Sequence, residues 1–375
     1  MTYDYENIPT PCFVVEEELL VRNLKILEDV MEKTKCHILL AQKCFSMFYT
    51  YPLIKKYLSG TTASGLYEAR LGKEYMGGET HVYSAAYRDD EIDEILELCD
   101  HVVFNSFSQW NRFKSKAKAS NKKCGLRINP ESSTQIGHEI YDPCGKNSRM
   151  GITLEHFIDN DLDGISGLHF HTLCEQNADD LVTTLKAVEE KFGKYLYQME
   201  WLNFGGGHHI TREDYDINLL VECINHMKKK YNLEIYIEPG EAVALNAGFM
   251  VSSVLDIVEN GVNIAIMDTS AACHMPDVLE MPYTPKVEGM SENNQGIKYR
   301  FGGPTCLAGD IIGDYYFENK LNIGDRLKFE DMAIYSMVKT NTFNGMKLPS
   351  IAYKNNDGIT LIKEFDYNDF KMRLS

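Results

Sequence analysis

From residue 11 to about residue 245, short apolar runs alternate with segments of helical period. CFVV is followed by EEELLVRNLKILEDVMEK, CHILLAQK by MFYTYPLIKKYL, THVYSAA by DDEIDEILELC, and HVVF by SQWNRFKSKA. The series continues through CGLRIN, GISGLHFH with DDLVTTLKAVEEKF, MEWLNF with LLVECINHMKKKY, and LEIYIEP. Runs that are apolar throughout, rather than at every second position, suit a parallel sheet covered on both faces. A closed barrel and an open doubly wound sheet both satisfy that pattern. About eight such runs favour the (β/α)8 barrel, which we predict over residues 13–245.

Beyond Glu241 the texture changes. GFMVSSVLDIVE, NIAIMD, IKYRFGG, DRLKFEDM and GITLIKEF are short, β-branched or aromatic, and parted by Gly, Asn and Asp turns. That is the signature of an all-β part, predicted as a C-terminal β-barrel-like domain over 246–375 and joined by residues 1–12.

Composition narrows the function. A chain of 375 residues with 44% hydrophobic residues has room for two domains, and no window approaches the ~18 apolar residues of a membrane span. The opening MTYDYENIPTPC has neither a basic start nor an apolar core, and the ten cysteines lack zinc-site spacing, so reduced thiols in the cytoplasm are expected. With 38 basic and 55 acidic residues the net charge is −17, which argues against a nucleic-acid surface and suits a cationic small molecule.

The candidate chemistry sits at the ends of apolar runs. Lys43 closes CHILLAQK, where a barrel strand delivers its last residues to the face that carries catalysis. Desolvation there disfavours the ammonium and frees an amine to attack a carbonyl; a lysine snorkelling from a strand end is the plain alternative. FGGGHH follows another run, and Gly205, Gly206 and Gly207 would let backbone N–H groups approach an anion. In IEPGE, Glu238 could face a ring nitrogen. LHFH sends His169 and His171 to one side, where one imidazole could lie against a planar group. FGGPTCLAGD places Cys306 and Asp310 on a glycine-flanked loop, and Tyr335 stands in DMAIYSM.

In order along the chain, AQK, ASGLYEA, LRINP, NSRMG, LHFH, FGGG, IEPG, GPTC and AIYS resemble the landmarks of the pyridoxal-phosphate decarboxylases of the alanine-racemase-like fold. The resemblance runs from about residue 8 to residue 345. Within that family LHFHTLCE and IEPGEA look most like the branch that acts on carboxylated polyamines. The resemblance implies pyridoxal phosphate as cofactor, and a homodimer in which each site borrows the GPTC loop of its neighbour. It implies that Lys43 holds the cofactor as a Schiff base, that His171 stacks on its ring and that Glu238 pairs with the ring nitrogen. Gly205, Gly206, Gly207 and Tyr335 would hold the phosphate, Arg127 would orient ring-side hydrogen bonds, and Cys306 would act near the substrate α-carbon.

Two departures bear on the substrate. Glu241 stands where the wider family usually carries arginine, and Leu307 stands where an acid follows the loop cysteine. Distal ammonium groups of a carboxylated polyamine would then need acids elsewhere, with Glu241, Asp268, Asp277, Glu280 and Asp310 as candidates. The rival enzyme class is a metal-dependent barrel hydrolase built on His169, His171, His208 or His209, Asp268 and His274. There H-x-H opens the barrel, whereas here Lys43 precedes it. The non-enzymatic rival is a pyridoxal-phosphate-binding regulator, against which the joint presence of Lys43 and Cys306 speaks.

Overall fold

A computed structural model describes residues 3–135 and 139–375. Met1 and Thr2, within the predicted joining segment 1–12, lie outside the described residues. The chain divides into two compact units: one comprises the residues up to Arg22 together with Ala244–Ser375, the other Asn23–Val243.

The strands in chain order are β1 (Cys12–Glu16), β2 (His37–Ala41), β3 (Gly60–Ala63), β4 (Glu79–Tyr83), β5 (His101–Phe104) and β6 (Lys123–Arg127). They continue with β7 (Gly167–His169), β8 (Trp201–Asn203), β9 (Glu234–Ile237), β10 (Gly248–Glu259), β11 (Asn263–Met267) and β12 (Ile297–Gly302). The last are β13 (Ile311–Phe317), β14 (Arg326–Phe329), β15 (Ser350–Asn355) and β16 (Gly358–Lys363).

Strands β2 to β9 close a parallel barrel, sealed where His37 of β2 pairs with Tyr236 of β9. Connecting helices carry the capping chemistry their sequences announce. Asp216 accepts the Leu219 N–H at 3.0 Å to start Ile217–Tyr231, and Asn232, left-handed at φ 57°, ends it. In Ala178–Leu196, the buried Leu181, Leu185, Val188, Phe192 and Leu196 recur at three- and four-residue spacing and form one apolar stripe.

One layer of the barrel interior consists of Leu39, Val103, Trp201 and Tyr236. Its bulk is accommodated by two glycines: a Cβ on Gly125 would lie 2.3 Å from the Trp201 ring, and one on Gly167 would lie 2.0 Å from it. A layer holding an indole has no room for neighbouring side chains.

The other unit is an eight-stranded sheet in the order β13-β12-β11-β10-β1-β15-β16, with β14 also pairing β10. Its larger core gathers Phe13, Met250, Val254, Met267, Tyr299, Phe301, Tyr315 and Phe329.

Two strands differ from expectation. CFVV, taken as the first run of the barrel series, is β1, antiparallel to β10 and parallel to β15 in the sheet unit, so the barrel begins after Arg22. Its place in the barrel is filled by β3, GTTA, which has no apolar run yet is buried at all four positions.

Candidate active site

A cavity of about 330 Å³ opens at the C-terminal ends of the barrel strands. Lys43 enters it just beyond β2, Thr62 and Ala63 from β3 with Ser64 directly after it, Tyr83 from β4, and Arg127 from β6. His169 and His171 come from β7 and the residues after it, Gly206 follows β8, and Glu238 follows β9.

Lys43 presents accessible surface to this cavity while protein encloses it closely. Burial, then the charge of Arg127, pushes its ammonium below the ordinary lysine range, with Glu238 pulling partly the other way. An amine so placed is a better nucleophile at neutral pH than one in water.

Glu238 is 8% exposed and fully engaged. Asn203 Nδ2 donates to one carboxylate oxygen at 2.8 Å, and His169 Nε2 lies 3.2 Å from the other. Burial alone would raise this carboxyl, but His169, His81 and Asn203 outweigh it and hold it below the usual carboxylate range. Burial pushes the His169 imidazole down, and Glu238 pulls it partly the other way.

His171 accepts the Gly206 N–H through Nδ1 at 2.8 Å, and burial, followed by Lys43 and Arg127, drives its imidazole well below its ordinary range. A neutral ring with Nδ1 as acceptor carries its proton on Nε2. Arg127 stacks its guanidinium on Tyr83, 4.5 Å from the ring centroid, and donates from Nη2 to the His171 carbonyl at 3.2 Å. Tyr83 is anchored in turn by its hydroxyl, which donates to Asn105 Oδ1 at 2.7 Å.

The glycine loop is tightly built. Gly205 and Gly207 have φ of 70° and 83°; a Cβ on Gly205 would lie 2.4 Å from the Phe170 carbonyl oxygen, and one on Gly207 2.0 Å from that of Leu173. Two of its amides are already used: Gly205 N–H donates to Asn203 Oδ1 at 2.8 Å and Gly206 N–H to His171. Glu241 is bound to its own unit, 2.9 Å from His209 Nε2, with both residues buried.

The other predicted residues belong to the sheet unit. Cys306 is exposed, and its N–H donates to Asn344 Oδ1 at 2.8 Å. Asp310 is 2% exposed and accepts from Ser270 Oγ, from Ala272 N–H at 3.2 Å and from Thr305 Oγ1 at 2.6 Å. Asp268 accepts from Ser252 Oγ and Ser253 N–H. Asp277 and Glu280 share the ammonium of Lys339, and Tyr335 is left-handed at φ 51°.

Among the described residues, the clusters with metal-ligand spacing are Glu79, His81 and His101, and Glu175, His209 and Glu241. Neither contains His169, His171, Asp268 or His274. The His81 and His101 rings stack at 4.0 Å and 16°, so no single ion lies in both ring planes. Sequence reasoning passed over Asn203, Tyr83 and Arg149, which the cavity or its partners bring in. Asn203 was findable as the polar residue ending the strand that feeds FGGG.

The profile described as "Pyridoxal-dependent decarboxylase, C-terminal sheet domain" matches residues 6–333. A Campylobacter jejuni carboxynorspermidine/carboxyspermidine decarboxylase is 45% identical over 98% of this chain and 99% of its own. A Synechocystis carboxyaminopropylagmatine decarboxylase is 43% identical over 98% of this chain and 96% of its own. The solved C. jejuni carboxynorspermidine decarboxylase complexed with norspermidine superposes with a TM-score of 0.91 at 43% identity, covering 98% of this chain and 100% of that one.

Proposed function

The chain belongs to the pyridoxal-dependent decarboxylase family, and from that premise we propose that it decarboxylates carboxynorspermidine, carboxyspermidine or both, releasing norspermidine or spermidine in polyamine biosynthesis. The observation that carries the reading is one cavity shared by the Lys43 amine and the hydrogen-bonded carboxylate of Glu238, in a chain similar to such enzymes along its whole length.

The residues present fit pyridoxal phosphate. Lys43 offers an amine to an aldehyde, Glu238 an ionised acceptor, His171 a neutral flat ring, and Arg127 fixed positive charge, all around one cavity. When bound, that cofactor supplies an electron sink for the pair left by departing carbon dioxide. Glu238 keeps negative charge at the cavity wall and so favours a protonated nitrogen facing it. Asn203 and His169 restrain its carboxylate. Two of the glycine amides are engaged inside the protein, which leaves Gly207 and other donors to serve the phosphate. Lys43 Nζ or the thiol of Cys306 would return the proton to the substrate carbon.

We read the working form as a cytoplasmic homodimer in which Cys306 comes from a second copy. Mixing Lys43→Ala and Cys306→Ala chains tests this, since hybrid dimers would regain one intact site. Among the described residues, no helix is long and apolar enough to cross a membrane. For the distal ammonium groups, Glu241, Asp268, Asp277, Glu280 and Asp310 stand as the candidate acids; Glu241 is bound by His209, Asp268 by Ser252, Asp310 by Ser270 and Thr305, and Asp277 and Glu280 share the ammonium of Lys339. The two substrates differ by one methylene, a difference worth about 1–3 kcal/mol, so one pocket can serve both.

Incubation with carboxynorspermidine, carboxyspermidine, carboxyaminopropylagmatine, meso-diaminopimelate, ornithine and lysine, followed by product identification, tests the substrate. Turnover of the first two is expected. The Synechocystis relative favours a second reading, in which carboxyaminopropylagmatine is preferred. Preference for any of the last three would overturn both.

A further inference from the structure

Asn203 is the last residue of β8 and is completely buried. Its amide has one workable orientation, because Nδ2 faces the carboxylate of Glu238 at 2.8 Å while Oδ1 faces the N–H of Gly205 at 2.8 Å. Turning it over would set oxygen against oxygen and N–H against N–H. The backbone closes the circuit, since Glu238 N–H donates to the Gly205 carbonyl at 2.8 Å. Three residues from two strand ends are thus locked together, and the side chain of Asn203 is the part of the lock that reaches the reactive carboxylate.

We propose that Asn203 is a positioning residue that sets the ring-side carboxylate of Glu238 and the entry of the glycine loop at Gly205 as one unit, so that neither moves independently. The proposal rests on the pyridoxal-phosphate reading. It has an electrostatic consequence as well as a geometric one. The groups facing Glu238 are His169 on β7, His81 on β4 and Lys43 beyond β2, with Arg127 of β6 across the cavity. Hydrogen bonds to the ionised form of a carboxyl favour that form. Removing the Asn203 donor therefore moves the protonation of Glu238 to higher pH, while removing the acceptor frees the Gly205 amide.

The test uses folded apoprotein titrated with pyridoxal phosphate across about pH 5 to 9, reading affinity from absorbance, in wild type, Asn203→Ala and Asn203→Leu. Leucine keeps the buried volume that alanine vacates. Affinity is expected to fall at least tenfold near neutrality in both variants, and the absorbance maximum of the bound cofactor is expected to move, because a ring nitrogen that Glu238 no longer faces squarely changes its share of protonation. A second measurement needs no change at Asn203: in Glu238→Ala, hydrogen exchange at the Gly205 amide should accelerate at least tenfold. Wild-type affinity in a folded Asn203 variant, a loss of affinity with an unmoved absorbance maximum, or unchanged Gly205 exchange would each overturn the proposal. Failure of wild type to bind pyridoxal phosphate would instead overturn the reading beneath it.

Discussion

The Gly206 N–H donates to His171 Nδ1 at 2.8 Å, and that bond orients an imidazole which burial keeps neutral. His171→Phe keeps a flat ring but orphans the amide, and an unsatisfied buried donor costs about 1–3 kcal/mol. Pyridoxal phosphate affinity should fall roughly 5- to 150-fold. His171→Asn, whose side-chain oxygen can accept, should recover part of the loss. Equilibrium titration of the three apoproteins checks both expectations.

Trp201 and Gly167 make a steric pair in the barrel interior, with no space for a methyl group between them. Gly167→Ala should therefore destabilise the fold by about 1–3 kcal/mol through overpacking. Pairing it with Trp201→Phe should show coupling, because the smaller ring releases the clash it otherwise meets. Denaturant unfolding of the two single variants and the double variant measures the interaction.

Acid should weaken the apoprotein before its carboxylates titrate. Burial lowers His208 and His274 from 6.5 to about 4. In the unfolded chain these imidazoles take up protons near 6.5, while in the fold they remain neutral until about 4. The unfolded state then binds more protons within that window, so stability falls as pH drops through it and levels off below. Each histidine contributes on the order of 3 kcal/mol at most, at about 1.4 kcal/mol per unit. His208→Met should flatten the dependence of unfolding free energy on pH between about 6.5 and 4; an unchanged slope would rule out this source.

Asp310 anchors the loop that carries Cys306, since its carboxylate holds Thr305, Ser270 and the Ala272 amide together. Asp310→Ala leaves those donors without their acceptor and should cost about 1–3 kcal/mol of stability. It should also lower kcat more than it raises KM, and speed alkylation of the Cys306 thiol. A rise in KM alone would point instead to contact with the substrate tail.

These relationships mark how far the sequence could be read. HILLA and EIYI are apolar after their first residue and run directly toward residues with obvious chemistry, so the barrel and the placement of Lys43 and Glu238 at strand ends were legible. GTTA was not, because threonines buried inside a barrel look polar in isolation. CFVV misled for the converse reason: a central sheet strand reads like a barrel strand, and its partners Val251 and Ser350 lie far along the chain. Charge alone also says little about partners. Asp268, Asp310 and Glu241 all look available in the sequence, yet Ser252, Ser270 and His209, each at least 16 residues away, bind them. The fold alone brings those groups together.

The central claim is that Lys43 Nζ is the amine that carries the coenzyme. Borohydride reduction of protein saturated with pyridoxal phosphate, followed by proteolysis and mass spectrometry, tests it directly. One phosphopyridoxyl group per chain on the peptide containing Lys43, and none in Lys43→Ala, is the predicted result. Label on another lysine, or saturated protein that reduction leaves unlabelled, would contradict the account.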